Sequence, residues 1–379
     1  MSRTTAARRI HWLSWLPTPY NDYLFQHLAG DSAIDLTVHY RSRALSSHPW
    51  QSALAKGYRA RFYNPVFGLD WHLLSLIFRD RCALFLVAGW DHPTSQILLT
   101  LMRLLGLSYA LWTDVPDLKR QRSLLFAWAR AAWLRWIFAG AVRILGTGQP
   151  AVQNLKLMGA LEARLINFPY WVDLAAYAPV TKPRGYGADR PLRFISSGRI
   201  TNSLKGHDIA VRALAQAGEK GGILFEYAIA GTGPDETEIK ELVKSLGLKD
   251  NVKCLGWLEP DSLRALYQNS DVLIHPSPVH EPYGVAVIEA MAAGLVVLAS
   301  DVTCAATDRI EHGLNGFIHH AGDVNELSEQ LSFLLRNPDS IPNIGGRARD
   351  TAELWPVERA VTIVRDTIQL DALRVHETD

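Results

Sequence analysis

Val272-Leu273-Ile274-His275-Pro276-Ser277 leads through Pro278-Val279-His280-Glu281-Pro282-Tyr283-Gly284 into Val285-Ala286-Val287-Ile288-Glu289-Ala290-Met291-Ala292-Ala293. The first run reads as a buried strand, the last as a helix, and the middle as the loop that joins them. Glu281 then lies in the loop and Glu289 more than a turn inside the helix. Gly284 falls near the helix start, where a missing side chain lets a ligand approach the backbone. The free amides of a helix N-terminus favour an anion. Amides for phosphate, with a carboxylate at each end for hydroxyls, suit a phosphorylated, polyhydroxylated ligand. A lone pair of glutamates eight residues apart is more often incidental, so the surroundings decide.

Outward from this stretch the second half alternates strand and helix. Leu192–Ser197, Leu224–Ala230, Val252–Leu255, Val272–His275 and Val296–Ala299 read as strands. Helices are predicted from Lys205 to Ala217, Pro234 to Leu246, Pro260 to Gln268, Val285 to Ala293 and Asn325 to Leu335. Short apolar strands between helices specify a parallel sheet covered on both faces. Ligands of such sheets bind beyond the carboxyl ends of the strands. The first half alternates less cleanly. Ile10–Leu16, Leu36–Tyr40, Leu84–Val87 and Tyr109–Thr113 read as strands, and Asp22–Leu28 and Ser95–Leu105 as helices. Tyr177–Arg190, with its Pro, Gly and basic residues, reads as a linker. The expected organisation is residues 1–180 as one Rossmann-like domain and 191–355 as a second. Residues 356–379 are expected to form a C-terminal helix packing back on the first domain.

The 379 residues are 48% hydrophobic and 20% charged, which excludes a disordered chain. Three widely spaced cysteines, Cys82, Cys254 and Cys304, show no metal-ligand spacing and point to a reducing compartment. Ile10–Leu16 is too short and too interrupted for a signal peptide. The net charge of +1 conceals an asymmetry. Residues 1–190 hold 22 Lys+Arg against 11 Asp+Glu, residues 191–379 hold 17 against 27, and ten of the twelve tryptophans lie in 1–171. A basic, Trp-rich half fits an anionic membrane surface. Leu124–Leu145 is apolar, but Arg130 and Arg135 stand in its middle, so an interfacial or core helix is expected rather than a span.

Two further loops carry charge or glycine. Ser196-Ser197-Gly198-Arg199 closes the first strand of the second half and Lys205-Gly206 follows. Arg199 and Lys205 can both reach an anion at that strand end. Ala230-Gly231-Thr232-Gly233-Pro234 opens the next helix. It resembles a phosphate-binding turn but lacks the third glycine and the acidic residue of the dinucleotide fingerprint. A tight strand-to-helix turn accounts for it as well.

In this order the segments resemble the retaining nucleotide-sugar glycosyltransferases of family 4. Their landmarks match Gly198-Arg199…Lys205-Gly206, Ala230-Gly231-Thr232-Gly233-Pro234, Gly256-Trp257, Tyr267, Pro276-Ser277 with Glu281…Glu289, Gly313-Leu314-Asn315-Gly316-Phe317 and Gly322-Asp323. The resemblance covers residues 192–335 strongly and the first half loosely. It implies the α/β GT-B fold, two Rossmann-like domains facing each other across a cleft, with the acceptor on the first domain. It implies that Arg199 and Lys205 bind the donor diphosphate, that Glu281 meets donor-sugar hydroxyls, and that Glu289 accepts from ribose hydroxyls. The amides at Gly284 and Val285 would hold phosphate, and Gly231, Gly233, Trp257 and Leu258 would line the nucleotide site. Asp114 stands where many relatives carry a histidine and is a catalytic candidate, with Asp91 and His92 as lesser ones. Cys304-Ala305…Asp308 departs from the relatives' Gly-Gly…Glu, His280 is a less usual neighbour for Glu281, and Thr18-Pro19-Tyr20-Asn21 lacks their glycine pair.

The implied activity is retaining, metal-independent transfer from a nucleotide-diphosphate sugar to a lipid-linked or glycan acceptor in envelope polysaccharide or glycolipid synthesis. No Asp-x-Asp motif is present and no cofactor is expected beyond the donor. The partners expected are the donor, that acceptor and an anionic membrane surface, with no nucleic acid, at the cytoplasmic face of the membrane. The rivals are a nucleotide-sugar 2-epimerase of the same fold and a non-catalytic sugar-nucleotide-binding subunit.

Overall fold

The computed structural model describes residues 7–42, 55–63, 69–118, 123–179, 190–221 and 224–378. The chain divides into two compact units, residues 1–171 with 357–379, and residues 172–356. Most of the expected linker, residues 180–189, lies outside the described residues.

Unit 1 contains β1 (Arg8–Ser14), α1 (Pro19–Ala29), β2 (Ile34–Tyr40), β3 (Arg59–Phe62), α2 (Trp71–Arg79), β4 (Leu84–Ala88) and α3 (Pro93–Leu104). It continues with β5 (Tyr109–Thr113), α4 (Leu124–Gly140), β6 (Ile144–Gly146), α5 (Gln149–Leu157) and β7 (Leu165–Asn167). Its seven strands are parallel in the order β3-β2-β1-β4-β5-β6-β7. Thr18 caps α1 by accepting from the Asn21 amide at 3.3 Å, and Pro19 begins the helix where no amide partner is needed. The apolar run from Leu124 is two elements rather than one: α4 ends at Gly140, and Ile144 starts β6.

Unit 2 contains β8 (Leu192–Ser197), α6 (Asn202–Lys205), α7 (His207–Gly221), β9 (Phe225–Ala230), α8 (Glu236–Ser245), β10 (Val252–Gly256) and α9 (Pro260–Gln268). Then come β11 (Val272–His275), α10 (Val285–Ala292), β12 (Val296–Ser300), α11 (Cys304–Arg309), β13 (Phe317–His319), α12 (Val324–Arg336) and α13 (Ile341–Glu353). Its six parallel strands run β10-β9-β8-β11-β12-β13. The last helix, α14 (Val357–Thr378), belongs to unit 1, where it packs on α1 and its buried Asp371 pairs with Arg8.

In both units the strand order reverses between neighbours, at β1/β4 and at β8/β11. Loops diverge there and open a crevice beyond the strand ends. The central strands β11 and β12 are buried along their whole length, and for that reason they read as unbroken apolar runs. No helix among the described residues is long and apolar enough to cross a membrane.

Candidate active site

The site of unit 2 is assembled at the reversal between β8 and β11. The sequence predicts one helix from Lys205 to Ala217, and the chain instead breaks there. The four residues of α6 end at Lys205, Gly206 turns left-handed at φ 66°, and α7 restarts at His207. A Cβ on Gly206 would run into the Pro276 carbonyl oxygen of the β11 loop. Glycine thus lets the two loops touch, and the break aims Lys205 across the crevice. Its Nζ donates to Glu281 Oε2 at 2.6 Å, with both side chains mostly shielded.

Glu281 is fixed from both sides. Its amide donates to Val302 O at 3.0 Å and its carbonyl accepts from Cys304 N at 3.2 Å. Ala305 N likewise donates to Tyr283 O at 2.7 Å. The Cys304-Ala305 departure from the relatives' pattern therefore still docks its amides on the Glu281 loop. Asp308 pairs with the buried Arg309 at 2.8 Å. Ser277 Oγ lies 3.4 Å from Glu281 Oε2. Burial pushes the Glu281 carboxyl up, but Lys205, His275 and the Ser277 hydroxyl outweigh it and hold the group below the usual carboxylate range. His275, buried and beside Lys205, falls to about 4 and is neutral at physiological pH. Burial lowers His207, which lies 3.3 Å from the Arg199 carbonyl, to about 4 as well. Arg199 itself is exposed just past β8.

Gly284 precedes α10 at φ 91°, and a Cβ there would press on Thr303 Cγ2 at 2.7 Å. With Val285 it places the start of α10 next to the Glu281 loop. Glu289, one turn on, takes the Tyr177 hydroxyl on Oε1 at 2.8 Å and a second hydroxyl from Tyr267. Tyr267 also meets Ser197 Oγ at 2.5 Å, which ties the carboxylate to the end of β8. Burial pushes the Glu289 carboxyl up to about 7, against the opposing pull of the two tyrosines and Arg264. Sequence reasoning placed Tyr177 in a linker and missed its part here.

Gly231 and Gly233 have a structural reason: added Cβ atoms would strike the backbones of Gly198 and Ile200. The Gly231 amide donates to Gly256 O at 2.8 Å, so the β9 and β10 turns meet and carry Trp257 and Leu258 beside them. Trp257 is exposed and Leu258 partly buried, while His280 is exposed. Unit 2 thus brings together Lys205, Glu281, Gly284 and Val285 around one strand-end crevice, with Glu289 behind them. Arg199, Gly231, Gly233, Trp257 and Leu258 stand on the neighbouring loops.

The candidates of unit 1 stand in other surroundings. Asp114, exposed after β5, accepts on Oδ1 from Tyr170 at 2.9 Å and Thr147 at 3.1 Å. His92 caps α3, with Nδ1 accepting from the Thr94 amide at 3.2 Å, and Asp91 is exposed. Buried polar groups elsewhere form a chain. His11 Nε2 meets Asp80 at 3.0 Å, His11 Nδ1 meets His39 at 3.0 Å, and His39 meets Tyr63 at 3.2 Å. Burial, with His11 adjacent, drops His39 to about 3.

Two parallel-sheet Rossmann-like units, the second carrying this crevice, define a GT-B protein. Residues 182–351 match the family model of glycosyl transferases group 1. It is similar to the putative colanic acid biosynthesis glycosyltransferase WcaL of Escherichia coli, 29% identical over 53% of this chain and 49% of that protein. It is also similar to the amylovoran biosynthesis glycosyltransferase AmsK of Erwinia amylovora, 32% identical over 43% of this chain and 41% of that one. The matched stretches span only about half the length of these curated relatives. Among solved structures, Anabaena Alr3699/HepE in complex with UDP superposes with a TM-score of 0.72 over 95% of this chain and 99% of that one, at 17% identity. Sucrose-phosphate synthase of Thermosynechococcus elongatus gives 0.73 over 97% and 100%, at 18% identity. These two likenesses support the fold.

Proposed function

We propose that the protein is a retaining glycosyltransferase. It moves a sugar from a nucleotide-diphosphate sugar to a lipid-linked or glycan acceptor in polysaccharide assembly, at the cytoplasmic face of a membrane and without a metal. The observation that carries this reading is the Lys205–Glu281 pair at 2.6 Å on the lip of the β8/β11 crevice. Cleaving a sugar–diphosphate bond builds negative charge on the leaving group. A shielded ammonium, the Arg199 fork and the start of α10 are the groups that stabilise such charge.

The incoming diphosphate takes Lys205 from Glu281. The released carboxylate accepts from the donor-sugar hydroxyls. Glu289 accepts from the ribose diol, and the nucleotide base lies against the Gly256-Trp257-Leu258 turn. Attack comes on the face the leaving group vacates, with a donor phosphate oxygen taking the acceptor proton, so no side chain serves as base. UDP, the nucleotide bound by the Anabaena HepE structure, is the first to try.

A thermal-shift screen of nucleoside diphosphates and their sugars tests the donor site, because a ligand of the native state raises apparent stability. No stabilisation by any of them sinks the reading. Sugar released or isomerised from the donor without any acceptor would favour an epimerase instead.

A further inference from the structure

Glu289 is a carboxylate set against its surroundings. It projects from α10 between Ile288 and Ala290, both buried, and burial favours its neutral form. Among the described residues the charged and titratable groups that oppose burial come from two elements. Tyr267 and Arg264 lie on α9, and Tyr177 lies on the segment 172–179 that precedes β8. Ser197 at the end of β8 reaches the carboxylate only through the Tyr267 hydroxyl, 2.5 Å away.

Tyr177 has no helix or strand to place it. Side chains of unit 2 do so instead. Gln268 of α9 donates from one amide nitrogen to the Ala176 and Ala178 carbonyls, at 3.1 and 2.9 Å, on either side of the tyrosine. Arg349 of α13 donates to the Leu174 carbonyl at 2.8 Å. Asp173 Oδ1 accepts from the Ala175 and Ala176 amides at 3.1 and 3.0 Å. The phenol ring stands edge-on to Tyr267, with centroids 5.6 Å apart. All of this sets one hydroxyl 2.8 Å from Glu289 Oε1.

The need to satisfy a buried phenol does not account for the pair. A backbone carbonyl would satisfy it without burying a charge. A carboxylate has about four acceptor sites, and the two phenols use two of them. The two that remain match the two hydroxyls of a vicinal diol.

We propose that Tyr177 is a positioning residue for nucleotide binding: its hydroxyl holds Glu289 as an oriented carboxylate ready for the ribose diol. It acts through Glu289 and does not touch the nucleotide. The inference rests on the reading above that Glu289 meets ribose, and the test separates the two.

The whole protein is titrated calorimetrically with UDP, GDP and ADP, which share the ribose and the diphosphate, at pH 6, 7 and 8.5. The parent is compared with Tyr177→Phe, Glu289→Gln and the double variant. Phenylalanine keeps the ring against Tyr267 and removes only the hydroxyl. Losing a hydrogen bond to a charged group raises a carboxyl by about one pKa unit or more. Tyr177→Phe should therefore bind the nucleotide about tenfold more weakly than the parent at pH 6, and within about twofold of it at pH 8.5. Taking the ratio at each pH cancels the titration of the nucleotide's own phosphate. On the Glu289→Gln background, which has no carboxyl to titrate there, the same substitution should produce no such trend. A loss of equal size at all three pH values overturns the proposal and makes Tyr177 a packing residue. Undiminished binding by Tyr177→Phe at pH 6 overturns it as well, and so does a trend that persists without the Glu289 carboxyl. Binding of none of the three nucleotides by the parent would instead sink the donor-site reading itself.

Discussion

At the strand ends of unit 2 the side chains are charged and paired: Lys205 with Glu281, Glu289 between two tyrosines, Arg199 nearby. At the strand ends of unit 1 they are aromatic, or polar and occupied: Trp90 on a cavity, His92 capping a helix, Asp114 holding two hydroxyls. The sheets beneath have the same parallel plan and the same kind of reversal. One scaffold thus carries two different rims, charged and paired on unit 2, aromatic or already hydrogen-bonded on unit 1.

The largest expected effect lies in the charged rim. Glu281→Ala and Lys205→Ala should each reduce transfer by a factor of about a hundred to a thousand, the usual cost of losing one preorganised charge-stabilising group. Circular dichroism and the melting temperature should show an intact fold. Glu281→Gln should recover part of the loss, since an amide oxygen still accepts from hydroxyls. Full turnover in both alanine variants would erase the contrast between the units.

Two glycines with the same backbone angle sharpen it next. Gly206 and Gly106 both have φ 66°, but a Cβ on Gly206 meets the Pro276 carbonyl and one on Gly106 meets nothing within 4 Å. Gly106→Ala should cost only the left-handed penalty, about 1–2 kcal/mol. Gly206→Ala should cost about 1 kcal/mol more, from the added strain, and should also weaken nucleotide binding by moving Lys205. Denaturant titration measures the first quantity and the thermal shift with UDP the second. Equal stability loss in the two would mean that the Gly206–Pro276 approach is slack.

Glu289 supplies a pH test. Its folded-state pKa, about 7, lies above the value of an unfolded glutamate, so it favours the folded state at low pH and that contribution is lost as pH rises through 7. Ribose needs the opposite, ionised form. Nucleotide affinity should therefore fall by about tenfold per pH unit below 7, even as this group stabilises the fold. Glu289→Gln should flatten both profiles and bind weakly throughout. His39 of unit 1 acts in the other direction. Its pKa, about 3, is below that of an unfolded histidine, so its contribution is present above about 6.5 and fades as pH falls toward 3. Calorimetry of Glu289→Gln and His39→Asn should show losses of pH dependence of opposite sign, both below neutrality. Nucleotide affinity constant from pH 8 to 6 would remove Glu289 from the ribose site.

The contrast also explains what the sequence disclosed. Strands such as β11 and β12 are buried on both faces, so each reads as an apolar run with clear ends. β3, Arg59-Ala60-Arg61-Phe62, is half exposed at a sheet edge, and β6 and β7 have three residues each, too few for a pattern. Lys205 and Glu281 were legible because their loops follow recognisable strands. The break at Gly206 was not, since one glycine within an amphipathic run does not by itself end a helix. Tyr177 was hidden for another reason: it meets Glu289 from 112 residues away, and no local pattern records such a contact.

The smallest effect is expected at Asp114, which stands on the rim of unit 1. Its Oδ1 already accepts from Tyr170 and Thr147, and an asparagine carbonyl in the same place accepts both bonds. Asp114→Asn should therefore leave the unfolding free energy within about 0.5 kcal/mol of the parent and reduce transfer by less than about tenfold. A carboxylate that served as base or as a charge facing the sugar would instead cost about a hundredfold or more in kcat, with KM unchanged. That outcome would move part of the reacting chemistry onto unit 1 and break the division of labour between the two rims. A small loss appearing only in KM for the acceptor would keep the division and make Asp114 a hydroxyl acceptor on the acceptor side.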